Sequence, residues 1–198
     1  MMIKEQLDAI VAERYLLEHP FYQAWSAGTL PVEALRDYAR EYGAFIRELP
    51  LGWHIQNDEE TEHEEIEHIE LWEQFAEALD TQIGEAERPA VRALIETTRQ
   101  LFSDPVTALG ALYAFEVQQP ATAQSKLDGL MTHYTLPEGV RPYFEVHSVN
   151  HHEAEKLLVR ISALSEAEQG RALDACAQMC HALWNALTDL TPEGVSCA

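Results

Sequence analysis

Three stretches of this 198-residue chain gather Glu and His at spacings that suit a metal ion. In the first, EETEHEEIEH, residues Glu60, Glu64 and His68 fall on an i, i+4, i+8 stripe of a helix. His68 stands one turn before Leu71 and Trp72, so it lies close to an apolar face. A solvated acidic face accounts for most of these carboxylates; as ligands His68 ranks first, then Glu64, then Glu60, with Glu65 last. In the second, Glu116 sits among Leu109, Leu112, Tyr113, Phe115 and Val117. An ionised carboxylate buried there loses its hydration, so it needs a metal, a proton or a cationic partner such as an Arg or Lys126. The third holds His147, His151, His152, Glu153 and Glu155. On one continuous helix His147 and His151 share a face with Phe144 and Leu158, and the last three turn progressively away, His152 toward solvent. Neutral imidazole is a good ligand for transition metals. Oxygen and imidazole donors without thiolate favour iron or manganese over structural zinc, and two such ions inside a bundle suit the activation of dioxygen.

The elements that must position these residues are all helical. Apolar residues recur at helical spacing over 3–18, where Ile3, Leu7, Ile10, Val11 and Leu17 share a face. His19-Pro20 interrupts that run, the short segment FYQAWS follows, and Gly28 breaks it. Further helices are predicted over 31–50, 61–79, 89–102, 104–134, 142–164 and 165–190. Pro31, Pro89, Pro105 and Pro142 stand where helices begin well, Asp104 and Ser165 can cap, and Pro120 should kink the helix holding Glu116. Ile66, Leu71, Trp72, Phe75 and Leu79 form the expected apolar face of the helix over 61–79. The expected architecture is all-α, a single domain of about seven helices over 1–198, most neighbours antiparallel because the loops are short. No strand, Gly-rich phosphate loop or Gly-x-Ser-x-Gly elbow is evident.

Composition narrows the functions. Thirteen Lys and Arg against 34 Asp and Glu give a net charge of −21. Such a chain repels phosphate backbones and anionic bilayers, which argues against nucleic-acid and membrane partners. No apolar run reaches the ~20 residues of a membrane span, and the charged N-terminal run does not read as a signal peptide. Cys176 and Cys180 sit four apart on a helix, and Cys197 lies near the end. That odd count, in no disulfide pattern, reads as free thiols in a reducing, cytoplasmic compartment.

Three segments carry a resemblance over most of the chain: HPFYQAW, HIELWEQFAEAL and LYAFEVQQPATAQSKLDGL. With them the chain resembles the TenA/PqqC-like group of the heme-oxygenase-like fold. It is most like the CADD-type para-aminobenzoate synthases and the related heme-oxygenase-like diiron oxidases. The resemblance implies that Glu116 is the central metal-binding Glu, that His68 is the His ahead of Leu-Trp, and that His147 opens a late His-x-x-x-Asp-x-x-His motif. It also implies that Lys126 donates an amine, that Tyr22 is a tyrosine consumed in the reaction, and that Tyr143 is a tyrosine near the metals; Phe115 stands where a further tyrosine is found. The pattern departs in three places. The Glu expected seven before His68 is Thr61, so Glu60 or Glu64 must substitute. The Asp and second His of the last motif fall on His151 and Ala154, unless a short deletion makes His151 the second His. Pro50 and His68 are closer by a dozen or more residues than in the family. The implied function is an iron- or manganese-dependent oxidase or oxygenase acting on a small amine or aromatic with dioxygen, or on its own Tyr22. The other readings are a metal-free enzyme of the same fold and a non-catalytic binding member. The Cys lie away from the clusters, which argues against a thiaminase. A homodimer is expected, with Trp184 supplying an exposed aromatic patch. Lys126 has an ordinary alternative, a solvated partner for Asp128.

Overall fold

The structure, a computed structural model, describes residues 2–149 and 152–195. The described residues are helical, with no strand among them. In chain order they form α1 (Ile3–Ala12), a 3-10 turn (Leu16–Glu18), α2 (Pro20–Ser26), α3 (Val32–Ile46), α4 (Leu49–Ile55), α5 (Glu59–Ala78) and α6 (Pro89–Leu101). There follow α7 (Pro105–Glu116), α8 (Gln119–His133), a second 3-10 turn (Glu138–Val140), α9 (Pro142–Ser148), α10 (His152–Ser162) and α11 (Glu166–Leu190). The seven long helices expected become more numerous because those over 104–134 and 142–164 divide, FYQAWS forms a helix of its own, and α4 extends past the end expected at Pro50. The division between α7 and α8 matters most. Pro120 does not kink a continuous helix; it lies in the first turn of α8, where its missing N–H costs nothing. Gln118 fills the break, accepting from Leu16 N at 2.9 Å and donating to Ala114 O at 2.8 Å.

The helix starts have the chemistry their positions require. Asp58 caps α5 by accepting from Thr61 N, Asp104 caps α7 by accepting from Val106 N and Thr107 N, and Ser165 with Glu168 forms a capping box on α11. α7 is apolar on all sides and is buried without interruption from Ala108 to Glu116. α11 lies along it and along α6. At their crossing the backbones touch: a Cβ built on Gly110 would run into the carbonyl oxygen of Ala172. α5 packs against α3, α4 and α9, α8 against α2 and α9, and α10 against α7.

Two expectations need correction. Trp184 is not an open patch: it is half-buried, with the His19 ring edge-on at 4.5 Å. His19 caps α2, accepting from Phe21 N at 3.1 Å through Nδ1, and its Nε2 meets Thr188 Oγ1 at 3.0 Å. Trp184 thus helps anchor α2 to α11. The face of α5 is also rotated from the one expected, since Ile66 is 46% exposed while Thr61, Glu65, His68, Trp72 and Phe75 are buried. Cys176 and Cys180 are buried free thiols; Cys197 lies outside the described residues. No described helix is long and apolar enough to cross a membrane.

Candidate metal centre

Four helices bring Glu and His side chains to one buried place. Positions i and i+3 of the inner face of α5 supply Glu65 and His68, α7 ends on Glu116, α9 supplies His147, and the first turn of α10 supplies Glu153. All five are buried. The rings of His68 and His147 lie 4.3 Å apart, and His68 Nδ1 is 3.4 Å from Glu65 Oε1. Ligand atoms of Glu65, His68 and His147 all fall within 4.8 Å of one another, and those of Glu64, His152 and Glu153 form a second such group. His147 Nδ1 donates to the Tyr143 carbonyl at 2.7 Å, which leaves Nε2 as its donor atom for a metal. Its ring stacks on Tyr143 at 4.1 Å, and the Tyr143 hydroxyl accepts from Gln119 Nε2 at 3.1 Å.

The electrostatics are those of carboxylates lacking a counterion. Burial raises the pKa of Glu116 well above the usual carboxylate range, and Glu65 and Glu153 raise it further; the Trp53 indole offsets a little. Glu116 Oε1 is buried with no hydrogen-bond partner. Burial also raises Glu65, with His68 opposing. For His68, burial disfavours the imidazolium, but the contact with Glu65 and the field of Glu65, Glu153 and Glu64 outweigh it and raise its pKa. Burial and then the neighbouring His68 push His147 down to about 3. An unpaired buried carboxylate is among the most expensive groups to keep in an interior. A divalent cation among these donors would remove that cost.

Next to this cluster lies an aromatic chamber. Lys126, on α8, is only 4% exposed and does not meet Asp128, which is held by Gln124 at 2.8 Å. Its Nζ donates to the Tyr38 hydroxyl at 3.2 Å and stands 4.4 Å from the centre of the Tyr22 ring. The hydroxyls of Tyr22 and Tyr38 are 3.0 Å apart. Burial pushes Lys126 down to about 7 and holds Tyr22 and Tyr38 well above the ordinary tyrosine value. Rings in contact connect chamber and cluster: Tyr38 stacks on Tyr42 at 4.8 Å, Trp72 is 5.5 Å from Tyr38 and 4.7 Å from Tyr143, and Tyr143 covers His147.

Comparison with known proteins places this arrangement. A family described as iron-containing redox enzymes matches residues 14–185. The chain belongs to that family. Membership makes the chain an oxidoreductase and supports iron as its metal. The chain is 33% identical to a 4-aminobenzoate synthase of Nitrosomonas europaea, over 93% of this chain and 89% of that protein. It is 30% identical to a 4-aminobenzoate synthase of Chlamydia muridarum, over all of this chain and 93% of the other. The fold matches that of a TenA homologue from P. horikoshii OT3, with a TM-score of 0.78 over 96% of this chain and 98% of that one at 16% identity. The donor set of this iron-containing redox enzyme fits the metal: imidazoles and carboxylates without thiolate, around an orphaned buried carboxylate oxygen.

The sequence-derived ligands are not all here. His68 and His147 come together, and Glu116 lies within the electrostatic reach of Glu65 and Glu153 beside them. Glu60 is exposed and joins neither group, because the buried stripe of α5 runs through Thr61, Glu65 and His68 instead. Glu64 is half-buried and joins Glu153 and His152 rather than His68. His151 lies outside the described residues. Thr61, where the resemblance calls for a Glu, is buried and takes Lys156 Nζ at 2.6 Å; Lys156 and Arg160 also meet Asp58, at 3.2 and 2.6 Å. Phe115 packs on Phe45 at 5.3 Å. Sequence reasoning ranked Glu65 last and turned Glu153 away from the site. The phase of each was available. Glu65 precedes His68 and Trp72 by three and seven residues, and Glu153, Leu157 and Ile161 form an i, i+4, i+8 stripe that is buried throughout.

Proposed function

We propose that this chain is a 4-aminobenzoate-forming oxidase that takes the ring from its own Tyr22 and the amine from Lys126, using dioxygen and two metal ions, iron or manganese. The observation that carries the reading is the enclosure of Lys126 Nζ 4.4 Å from the Tyr22 ring centre, with both side chains buried. The names of the related proteins supply the product. Charge supports two ions: Glu64, Glu65, Glu116 and Glu153 carry four formal negative charges, which two divalent cations balance and one does not. Glu65, His68, Glu116, His147 and Glu153 would hold them, with Glu64 and His152 at the edge. When bound, such a centre supplies the redox chemistry of dioxygen.

The chain's own residues prepare the reactants. Burial lowers the Lys126 pKa to about 7, so neutral amine with a free lone pair is accessible near neutral pH. Tyr38 accepts from Lys126 and meets the Tyr22 hydroxyl, fixing amine and ring relative to each other. Burial keeps Tyr22 protonated. Trp25 and Phe144 pack around the chamber and exclude water from it.

The test is intact mass after incubation with iron or manganese, a reductant and dioxygen. The expected result is a mass loss that maps to Tyr22 and is absent from Lys126→Ala. Oxygen consumption with unchanged protein mass would reject the self-consuming route and leave an oxidase of an external small amine or aromatic.

A further inference from the structure

The aromatic chamber holds two tyrosines within reach of one amine. Lys126 Nζ is 4.4 Å from the centre of the Tyr22 ring and 5.5 Å from that of Tyr38, and its hydrogen bond goes to the Tyr38 hydroxyl at 3.2 Å. The two rings are carried by different parts of the fold. Tyr38 is on α3, which packs on α5, α6 and α11. Tyr22 is on α2, a helix of seven residues that leans chiefly on α8, the helix of Lys126. A small change between α2 and α8 therefore moves one ring relative to the amine and leaves the other in place.

Glycines set the contact between those two helices. Gly129 lies one turn after Lys126 and Trp25 one turn after Tyr22, so the two pairs share one seam. A Cβ on Gly129 would stand 2.9 Å from the Trp25 carbonyl oxygen, 3.1 Å from Trp25 Cδ1 and 3.3 Å from Ser26 Cα. Two of those three atoms are backbone of α2, which cannot turn aside as a side chain does. Further along, Gly28 has a φ of +69° and lets the chain leave α2 against His133, whose side chain a Cβ at 28 would strike. Tyr134 closes the seam by donating its hydroxyl to the Leu30 carbonyl at 3.1 Å. We infer that Gly129 is a positioning residue that decides which tyrosine the amine meets: its missing side chain brings α2 in far enough for Tyr22, rather than Tyr38, to lie against Lys126. This rests on the self-consuming reading above. A methyl at 129 must push α2 outward, and reaction between two held groups falls steeply with such movement, by about 100-fold for a misplacement near 1 Å.

The experiment incubates the full chain with iron or manganese, a reductant and dioxygen, and divides the mass loss between Tyr22 and Tyr38 by peptide mass spectrometry. In the wild type the loss should map to Tyr22. Gly129→Ala should take up as much metal, lose about 10-fold or more of the reaction at Tyr22, and begin to consume Tyr38. Gly170→Ala makes the same change on α11, where a Cβ meets nothing within 4 Å, and should match the wild type. In the metal-free chain, hydrogen exchange over 20–30 should quicken in Gly129→Ala while that over 32–46 stays as it was. Tyr134→Phe deletes one hydroxyl without crowding, loosens the same seam from its far end, and should also lower the Tyr22 share; it carries the test if Gly129→Ala does not fold. Reaction at Tyr22 undiminished in Gly129→Ala, loss of reaction at both tyrosines, unchanged exchange over 20–30, an equal effect of Gly170→Ala, or an unaltered Tyr22 share in Tyr134→Phe would overturn the assignment and leave the self-consuming reading intact. No mass loss at either tyrosine in the wild type would overturn both.

Discussion

Lys126 is the residue whose chemistry depends most on its surroundings. Three aromatic rings, Tyr22, Tyr38 and Phe144, lie within 4.4–5.5 Å of its nitrogen, and no carboxylate is among its bonded partners in the structure. Its pKa falls from 10.5 to about 7. Between those values the unfolded chain holds a proton that the folded chain has shed. Stability therefore rises with pH across that window, and the full penalty applies below about 7. Lys126→Met keeps the stem and removes the charge. Thermal melts should place this variant above the wild type at pH 7, by an amount on the order of a few kcal/mol, and show the gap closing toward pH 10. An unchanged melting temperature at pH 7 would mean that the amine is not desolvated. The side chain proposed to react is thus one that weakens the fold, the usual relation between stability and a functional site.

Among the helices, the contact between α7 and α11 has the least tolerance. Gly110→Ala would drive a methyl into the Ala172 carbonyl, and backbone cannot rotate away as a side chain can. The helices must separate, which should destabilise the chain by about 3 kcal/mol or more in a denaturant titration. Because α7 ends on Glu116, metal affinity should fall as well. How far these elements could be read from the sequence varied with the range of the forces that set them. Local signals sufficed for most helix starts: Pro89, Pro105, Asp104 and Ser165 each fix a start through their own backbone chemistry. Helix phase was less legible. Ile66 drew the apolar face of α5 toward itself, yet it is exposed, and the face it displaced holds Glu65. Treating 142–164 as one helix aligned His147 with His151 and turned Glu153 outward. The end of α9 at Ser148 and the start of α10 at His152 reset the register, and Glu153 faces inward. Similarly, α8 begins afresh after Gln118, whose side chain accepts from the Leu16 backbone far away in the chain, and Lys126 of α8 meets Tyr22. Contacts between distant segments were legible only through the family resemblance.

At the scale of the whole molecule, charge opposes compactness. A net charge of −21 spreads over a chain whose thirteen basic residues are largely engaged in ion pairs, such as Arg99 with Glu48 at 2.6 Å. The exposed side of α5 alone carries Glu59, Glu60, Glu67 and Glu70. Raising NaCl from about 0.02 M to about 0.5 M shortens the Debye length several-fold, so the melting temperature should rise by several degrees even though individual surface pairs are weakened. A fall would show that the pairs outweigh the repulsion. The enclosure of Tyr22 has a consequence of a different kind. Its ring fills space between Phe21, Tyr38 and Lys126, and it is 3% exposed. Deleting a ring from a close-packed interior leaves a void that lowers stability by about 3–5 kcal/mol, against a total of about 5–15 kcal/mol for an ordinary domain. A self-consuming reaction would therefore write its own record into the protein: spent chains would open more often than fresh ones, and proteases that sample open states would clear the used population first.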